Sequence, residues 1–394
     1  MMHNEIELSS VITDIAAGPF GSNLKVECFV PSGFPIIDGA NLKGYKVTDN
    51  LTKFVTEEKA RSLSRSIAHR GDVVVTISGT LGQIAYIPDD SMFEEYLCSQ
   101  RQFRVSFDTS KVYVPYLVFY FHTFEGQNKI LSFANQTGVP ALSQPLKNFK
   151  KIHIFLPSYD EQRRIASVVE TFNNKIENNQ KINDNLQQQV ATLFSNLYDH
   201  AETEVGFTEI IQILGGGTPK TGESSYWNGN VPFFTPKDVG TPYTITTEKT
   251  ITEEGLAHCN SRLYPINTVF VTARGTVGKV GLPGVPMAMN QSCYALVGKD
   301  THQLLVYFYT LKAVDRLKHK ASGAVFDAIT TRDFESESIM KLSDADAKAF
   351  LDVAAPMYQT ILSNSTENLR LATLRDTLLP KLMSGKIDVS GIQL

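Results

Sequence analysis

No stretch of the 394 residues approaches the roughly eighteen uninterrupted apolar positions that a membrane-spanning helix requires. The start, MMHNEIELSS, lacks the basic-then-apolar order of a signal peptide, so the expectation is a cytoplasmic protein with no membrane association. Cys28, Cys98, Cys259 and Cys293 are scattered and form no C-x-x-C pair, which argues against a zinc site or a disulfide framework and leaves buried thiols. No Pro-Pro dipeptide occurs, so the Asn/Asp-Pro-Pro-aromatic loop expected of an adenine methyltransferase is missing. Asp89–Asp90 and Glu94–Glu95 lack the nearby lysine that a metal-dependent nuclease wants. Histidines are dispersed, and no Ser/His/Asp set can be assembled from the sequence. The glycine-rich run ISGTLGQI from Ile77 is no phosphate loop either, because Gly82 is followed by Gln83 where a P-loop needs lysine. The expectation is a chain that is not an enzyme and binds no cofactor or metal.

Positive charge is also in short supply, with a formal net charge of −4, which ordinarily discourages nucleic-acid binding. The distribution changes that reading. Residues 1–157 hold 15 acidic and 15 basic side chains, and residues 207–342 hold 12 and 13. The acidic excess lies outside these two blocks, which are free to carry basic patches.

What the sequence has is duplication. GDVVVTISGTLGQI from Gly71 lies on NTVFVTARGTVGKV from Asn267 without a gap, an offset of 196 (267 less 71). PIIDGANL from Pro35 matches PFFTPKDV from Pro232, and CSQRQFRV from Cys98 matches MNQSCYAL from Met289. TGVPALSQPLKNF aligns loosely with SGAVFDAITTRDF, and the four blocks keep one order in both halves.

Each half ends in a long helical pattern. Ile165, Val169, Phe172, Ile176, Leu186, Val190, Leu193 and Leu197 recur at spacings of three and four or their sums, as do Phe350, Val353, Met357, Ile361, Leu371, Leu374, Leu378 and Leu382. The two stripes are expected to pack on each other, with Asn179, Asn364 and Asn368 on or near the seam. Asp160–Glu161 suits the positive end of the first helix and Gly385 a C-terminal cap for the second. Pro356 is expected to kink the second helix or to mark a later start. The expected fold class is α+β: two pseudo-repeated α/β domains separated by two long antiparallel coiled-coil helices. The first domain is drawn over residues 1–157, the first helix over 158–200, the second domain over 207–342, the second helix over 343–385 and a tail over 386–394.

The chain resembles the specificity subunit of type I restriction-modification systems. The resemblance is carried by GGGTPKTGESSYWNGNVPFFTPKDV from Gly215, the GTLG and GTVG loops, LPSYDEQRRI from Leu156 and LRDTLLPKLMSGKI from Leu374, and it covers essentially the whole chain. It implies a non-catalytic subunit of a DNA adenine methyltransferase and restriction endonuclease complex. Two domains would each read one half of a bipartite double-stranded DNA site, about three to five base pairs apiece, with half-sites near one DNA turn, ~34 Å, apart. The helices would dock two methyltransferase subunits, and two restriction subunits would join in the restriction complex. S-adenosylmethionine, and ATP with magnesium for restriction, would belong to those partners. The second helix starts with LSDADAKAF and lacks the Pro and Glu-Gln of LPSYDEQ, so docking there is expected to differ. The alternative is a coiled-coil interaction scaffold without sequence-specific DNA binding.

In that setting the paired glycines become tight turns at strand ends, where backbone can approach a flat surface closely. The first turn carries Ser78, Thr80 and Gln83, whose amide matches an adenine edge; the second carries Arg274, Thr276 and Lys279, suited to guanine or phosphate. The remaining DNA-binding candidates are Arg61, Arg65 and Arg101 in the first domain and Lys220, Lys237, Lys318 and Lys320 in the second. Lys237 is expected to pair locally with Asp238, and the single Trp227 to serve as core.

Overall fold

Val73, Val74, Val75 and Thr76 are all buried, as are Val269, Phe270, Val271 and Thr272, and each quartet is a central strand whose β-branched or aromatic side chains are covered on both faces. The structure, a computed structural model, describes residues 4–135, 140–320 and 328–393. It divides into two units, Met1–Asn174 with Leu371–Leu394, and Lys175–Arg370.

In the first unit, strands β1 (Asn4–Glu7), β2 (Ile12–Ala17), β3 (Phe34–Ile37) and β4 (Phe54–Val55) precede helix α1 (Glu57–Ser62) and β5 (Ile67–His69). The hairpin β6 (Val73–Thr76) and β7 (Ile84–Tyr86) is followed by β8 (Glu95–Cys98) and β9 (Gln102–Phe107). Helices α2 (Val114–Phe121), α3 (Phe124–Leu131) and α4 (Pro145–Lys150) lead through β10 (His153–Leu156) to the long helix α5 (Tyr159–Asp199). The strands form an antiparallel sheet in the order β2-β9-β6-β7, a second sheet β4-β3-β8-β5 and the pair β1-β10. Helix α2 is buried nearly all round, which fits its unbroken apolar sequence VPYLVFYF.

The second unit repeats this plan with β11 (Thr203–Gly206), α6 (Phe207–Ile210), β12 (Ile211–Gly215), β13 (Trp227–Phe234), β14 (Tyr243–Thr244), β15 (Lys249–Ile251) and α7 (Glu253–Ala257). After them come β16 (Val269–Thr272), β17 (Val280–Pro283), β18 (Ala288–Met289), β19 (Cys293–Gly298), α8 (Gln303–Lys320), α9 (Thr331–Glu335), β20 (Ser338–Lys341) and the long helix α10 (Asp344–Met383). The sheet orders are β12-β19-β16-β17-β14, β15-β13-β18 and β11-β20.

Register makes the duplication concrete. Ile37 pairs in parallel with Cys98, and Phe234 with Met289; Lys46 bridges Tyr86, and Tyr243 pairs with Leu282; Ser78 bridges Ala141, and Arg274 bridges Ala328. Unrelated folds do not reproduce parallel and antiparallel pairings in one order. The parts of TGVPALSQPLKNF and SGAVFDAITTRDF at 137–139 and 322–327 lie outside the described residues. The blocks end on equivalent buried phenylalanines, Phe149 and Phe334, in α4 and α9.

The long helices pack side by side within each unit. In the first, Ile165 and Val169 share a core with Leu379 and Leu382, and Arg375 donates to Asn173 at 2.8 Å. In the second, Asn179 donates to Glu367 at 2.7 Å and to Asn368 at 2.9 Å, and Asn364 donates to Asn183 at 2.9 Å, so numbers rise along one helix as they fall along the other. The helices are therefore antiparallel. Beyond this amide ladder Phe194 packs on Phe308 and Phe350, with Tyr358 against Phe308. Ser343 accepts from the Asp346 N–H as N-cap of α10, and Gly385, at φ +68°, closes its other end through Gly385 N–H to Leu382 and Lys386 N–H to Lys381.

Three expectations need correction here. Helix α10 begins at Asp344 and continues through Pro356, so the proline does not mark a later start. The proline forfeits about 3 kcal/mol. Phe350, Ala354, Tyr358 and Ile361 are all buried around it, and at about 1.5–3 kcal/mol for each large side chain their burial outweighs that loss. Val353 and Leu374 are 45% and 50% exposed rather than in the seam. The buried line instead passes through Ala354, Tyr358 and Leu379, one position along, which spacing alone does not resolve.

Candidate nucleic-acid interface

The GTLG turn needs its glycines for two separate reasons. Gly79 and Gly82 sit at φ +92° and +84°, a region costly for residues with a Cβ. A Cβ on Gly82 would also meet the Gln127 Oε1 at 2.3 Å, because Gln127 clamps the turn by donating to the Gly82 carbonyl at 2.9 Å and to the Phe121 carbonyl at 2.7 Å. The loop between β8 and β9 lies beside it, with the Ile77 N–H donating to the Arg101 carbonyl at 2.7 Å.

Turn and loop line a cleft of about 530 Å³, bringing Ser78, Thr80, Gln83 and Arg101 together with Asp38 and Lys53. Arg101 is exposed and has no ion pair among the described residues; its Nη1 lies 3.7 Å from where a Gly79 Cβ would be. Gln83 is anchored at both ends of its amide: it donates to the Gly39 carbonyl at 2.9 Å and accepts from the Thr76 hydroxyl at 3.1 Å. It holds the turn to the segment after β3. Burial works against the Asp38 carboxylate, yet Lys53 at 2.7 Å and the Ala40 N–H hold its pKa below the usual range. The exposed apolar residues Phe20 and Val26 stand on the opening loop, and Val26 lines the cleft.

The GTVG turn of the second domain has the same backbone, with Gly275 at φ +83° and Gly278 at +73°. Here the buried Thr272 hydroxyl accepts from the Lys279 N–H at 2.9 Å and donates to the Thr276 carbonyl. Thr276 in turn donates to the Pro236 carbonyl at 3.2 Å. Arg274 and Lys279 are exposed. Lys318 lies over the turn, its Cε 2.6 Å from where a Gly278 Cβ would be. The structure thus groups Arg274, Thr276, Lys279 and Lys318.

The other candidates stand differently. Arg61 is held by Glu57 at 2.8 Å and Glu95 at 2.6 Å, an intradomain network. Arg65 is exposed, near enough to act on the Asp14 charge, and its carbonyl accepts from Arg104. Lys320 is paired with the buried carboxylate of Glu337, which Arg316 also approaches at 3.4 Å. Lys237 pairs with Glu248 at 3.9 Å and not with its neighbour Asp238, whose carboxylate accepts from Thr235 and from the Glu248 N–H. Lys220 is exposed, and its carbonyl accepts from the Trp227 indole at 3.2 Å. Trp227 is half-buried rather than core, with Lys249 over its ring.

Sequence reasoning missed Gln127 and Lys53. Neither belongs to a repeated block, and both act through partners far away in sequence. No group of three or more His, Cys, Asp or Glu suited to a metal occurs among the described residues.

The family model for the type I restriction modification DNA specificity domain matches residues 31–188 and 203–341. The MjaIX specificity subunit of Methanocaldococcus jannaschii is 32% identical over 124 residues, 30% of this chain and 29% of that protein. The HindI specificity subunit of Haemophilus influenzae is 28% identical over 185 residues, 46% of this chain and 40% of that protein. The matched region thus spans less than half the length of either relative. The crystal structure of an S subunit of a type I restriction-modification system from M. genitalium superposes with a TM-score of 0.60 at 17% identity, covering 96% of this chain and 95% of that one, a likeness of fold. With the family model repeated over both domains and covering most of its length, this chain belongs to the type I restriction-modification DNA specificity family.

Proposed function

We propose that this chain is the sequence-reading subunit of a type I restriction-modification complex, binding a bipartite double-stranded DNA site with one domain per half-site. The observation that carries the reading is the repeated turn-and-loop frame. Each domain offers an exposed threonine on a rigidly held glycine turn and an exposed guanidinium, on the neighbouring loop in the first domain (Arg101) and on the turn itself in the second (Arg274), and rigidly placed groups at a surface are what base-edge recognition needs. Arg65, Lys220, Lys279 and Lys318 are exposed cations placed to position phosphates, which fix register without specifying sequence. Arg61, Lys237 and Lys320 reach DNA only by exchanging the carboxylates they now hold.

The long helices carry two methyltransferase subunits, with two restriction subunits joining for cleavage. Methyl transfer, ATP use and cleavage belong to those partners, which use S-adenosylmethionine and ATP with magnesium, and the complex works in the cytoplasm. A coiled-coil scaffold indifferent to DNA is the rival reading. Measuring binding of the chain, assembled with its methyltransferase partner, to duplexes across a salt series separates them. The proposal expects a steep fall with salt and tighter binding to one bipartite sequence; equal, salt-insensitive binding to all duplexes contradicts it.

A further inference from the structure

Overlaying the two domains reveals a transposition. The β6–β7 turn carries Ser78 where the β16–β17 turn carries Arg274, and the β8–β9 loop carries Arg101 where the β18–β19 loop carries Ser292. The frame around these four positions is shared. The Ile77 N–H donates to the Arg101 carbonyl at 2.7 Å, and the Ala273 N–H to the Ser292 carbonyl at 2.8 Å. The strand ladders behind them end on Thr76 opposite Gln102 and on Thr272 opposite Cys293. Some flanking residues are identical, Thr80 with Thr276 and Gln100 with Gln291, while Ser99 stands against Asn290 and Gln102 against Cys293. The other polar difference on the turn is Gln83 against Lys279, and the Gln83 amide is anchored internally.

Each domain therefore presents one guanidinium and one serine hydroxyl on facing positions, with the two exchanged between turn and loop. Both arginines are exposed and without an ion pair among the described residues, unlike Arg61, Arg104 and Arg316. A free guanidinium contributes little to stability, and its planar fork matches the two acceptors, O6 and N7, on the major-groove edge of guanine. A phosphate contact would not require the group to change walls between domains. A frame copied once and then used to read two unlike half-sites gains a different readout from such an exchange.

We infer that Arg101 and Arg274 are the guanine-reading residues of their domains, specifying one G·C pair in each half-site from opposite walls of the same frame. The inference rests on the DNA-reading proposal above. Its test is mapping of the methylated motif in cells that carry the chain with its methyltransferase partner, for the unaltered chain, Arg101→Ala, Arg274→Ala and the double variant Ser78→Arg/Arg101→Ser. The expected result is that Arg101→Ala relaxes discrimination at a single G·C position of one half by about tenfold or more, and that Arg274→Ala does so in the other half only. The double variant regains a G·C requirement at a displaced position in the first half. In every variant the untouched half reports that the chain is folded. A variant that abolishes methylation is instead assayed by binding to duplexes mismatched at one position at a time, with the same expectation. An unchanged motif, a uniform loss across all sequences, or both variants altering one half overturns the inference. Absence of any chain-dependent motif with the unaltered chain overturns the DNA-reading proposal itself.

Discussion

The side-chain oxygen of Gln162 accepts the backbone N–H of Tyr113 at 2.8 Å, while its amide donates to the carbonyls of Lys111 at 2.9 Å and Pro157 at 3.0 Å. Gln162 is completely buried. One residue in the first turn of α5 thus ties that helix to the loop before α2. The equivalent position of α10 is Ala347, and there Leu342 N–H donates to the Tyr309 hydroxyl at 3.0 Å instead. The missing glutamine therefore reflects a different clasp between domain and helix.

Replacing Gln162 by alanine strands the half-buried Tyr113 N–H and Lys111 carbonyl and the buried Pro157 carbonyl. Each unsatisfied group costs about 1–3 kcal/mol, some of it recoverable by water. Gln162→Ala is expected to lower stability by about 2–4 kcal/mol in chemical denaturation. Arg163→Ala, on the exposed face of the same turn, is expected to change it by under about 0.5 kcal/mol.

Lys318 and Lys320 lie two residues apart on α8 and have different fates. Lys320 belongs with Arg316 and the buried Glu337, whereas Lys318 spreads over the GTVG turn. Glu337→Ala leaves the partly exposed Arg316 without its carboxylate and is expected to cost about 1–3 kcal/mol. Lys318→Ala is expected to leave stability nearly unchanged and to reduce the slope of log binding constant against log salt by about one. Lys320→Ala should not alter that slope.

The second glycine of the GTLG turn is held to its identity by conformation and by contact. Gly82→Ala is expected to lower stability by about 1–3 kcal/mol, from the positive φ and the clash with Gln127. Gly71→Ala, also at positive φ but with open space around its Cβ, should cost less. Thermal unfolding of the two variants ranks them.

Burial pushes the Cys98 and Cys293 thiols up to about 12, while Cys28 and Cys259 are only half-buried. At pH 8 the buried pair holds on the order of one thiolate in ten thousand, and the thiolate is the nucleophile. Titration of the native chain with an aromatic disulfide reagent is expected to modify two thiols, Cys28 and Cys259, and to reach four only after denaturation.

The repeat was legible because a constant offset across fourteen residues survives any uncertainty about secondary structure, and its strands are β-branched runs with one reading. The helix stripes were legible in outline only. Periods of three and four place Val353 and Ala354 equally well, and only the neighbouring Phe308 and Tyr307 decide which of the two is covered. The polar middle of the seam, at Asn173, Asn179 and Asn183, breaks the apolar period, and only Asn179 of the three was recognised. For the cations, sequence reveals type and not partner. Glu95 is 34 residues from Arg61 and Glu337 is 17 from Lys320, so these pairings become visible only in the fold. The Ser78–Arg101 and Arg274–Ser292 exchange joins segments separated in sequence and needed the ladder register to be seen.

Two copies of one module, each addressing its own half of a DNA site, stand at the centre of the function proposed for this chain. Exchanging residues 1–157 for the corresponding domain of a relative with a different target, followed by sequencing of methylated positions in cells carrying the hybrid, tests this most directly. The predicted result is a motif in which one half is new and the other is retained. A motif changed in both halves, or unchanged in both, would contradict it.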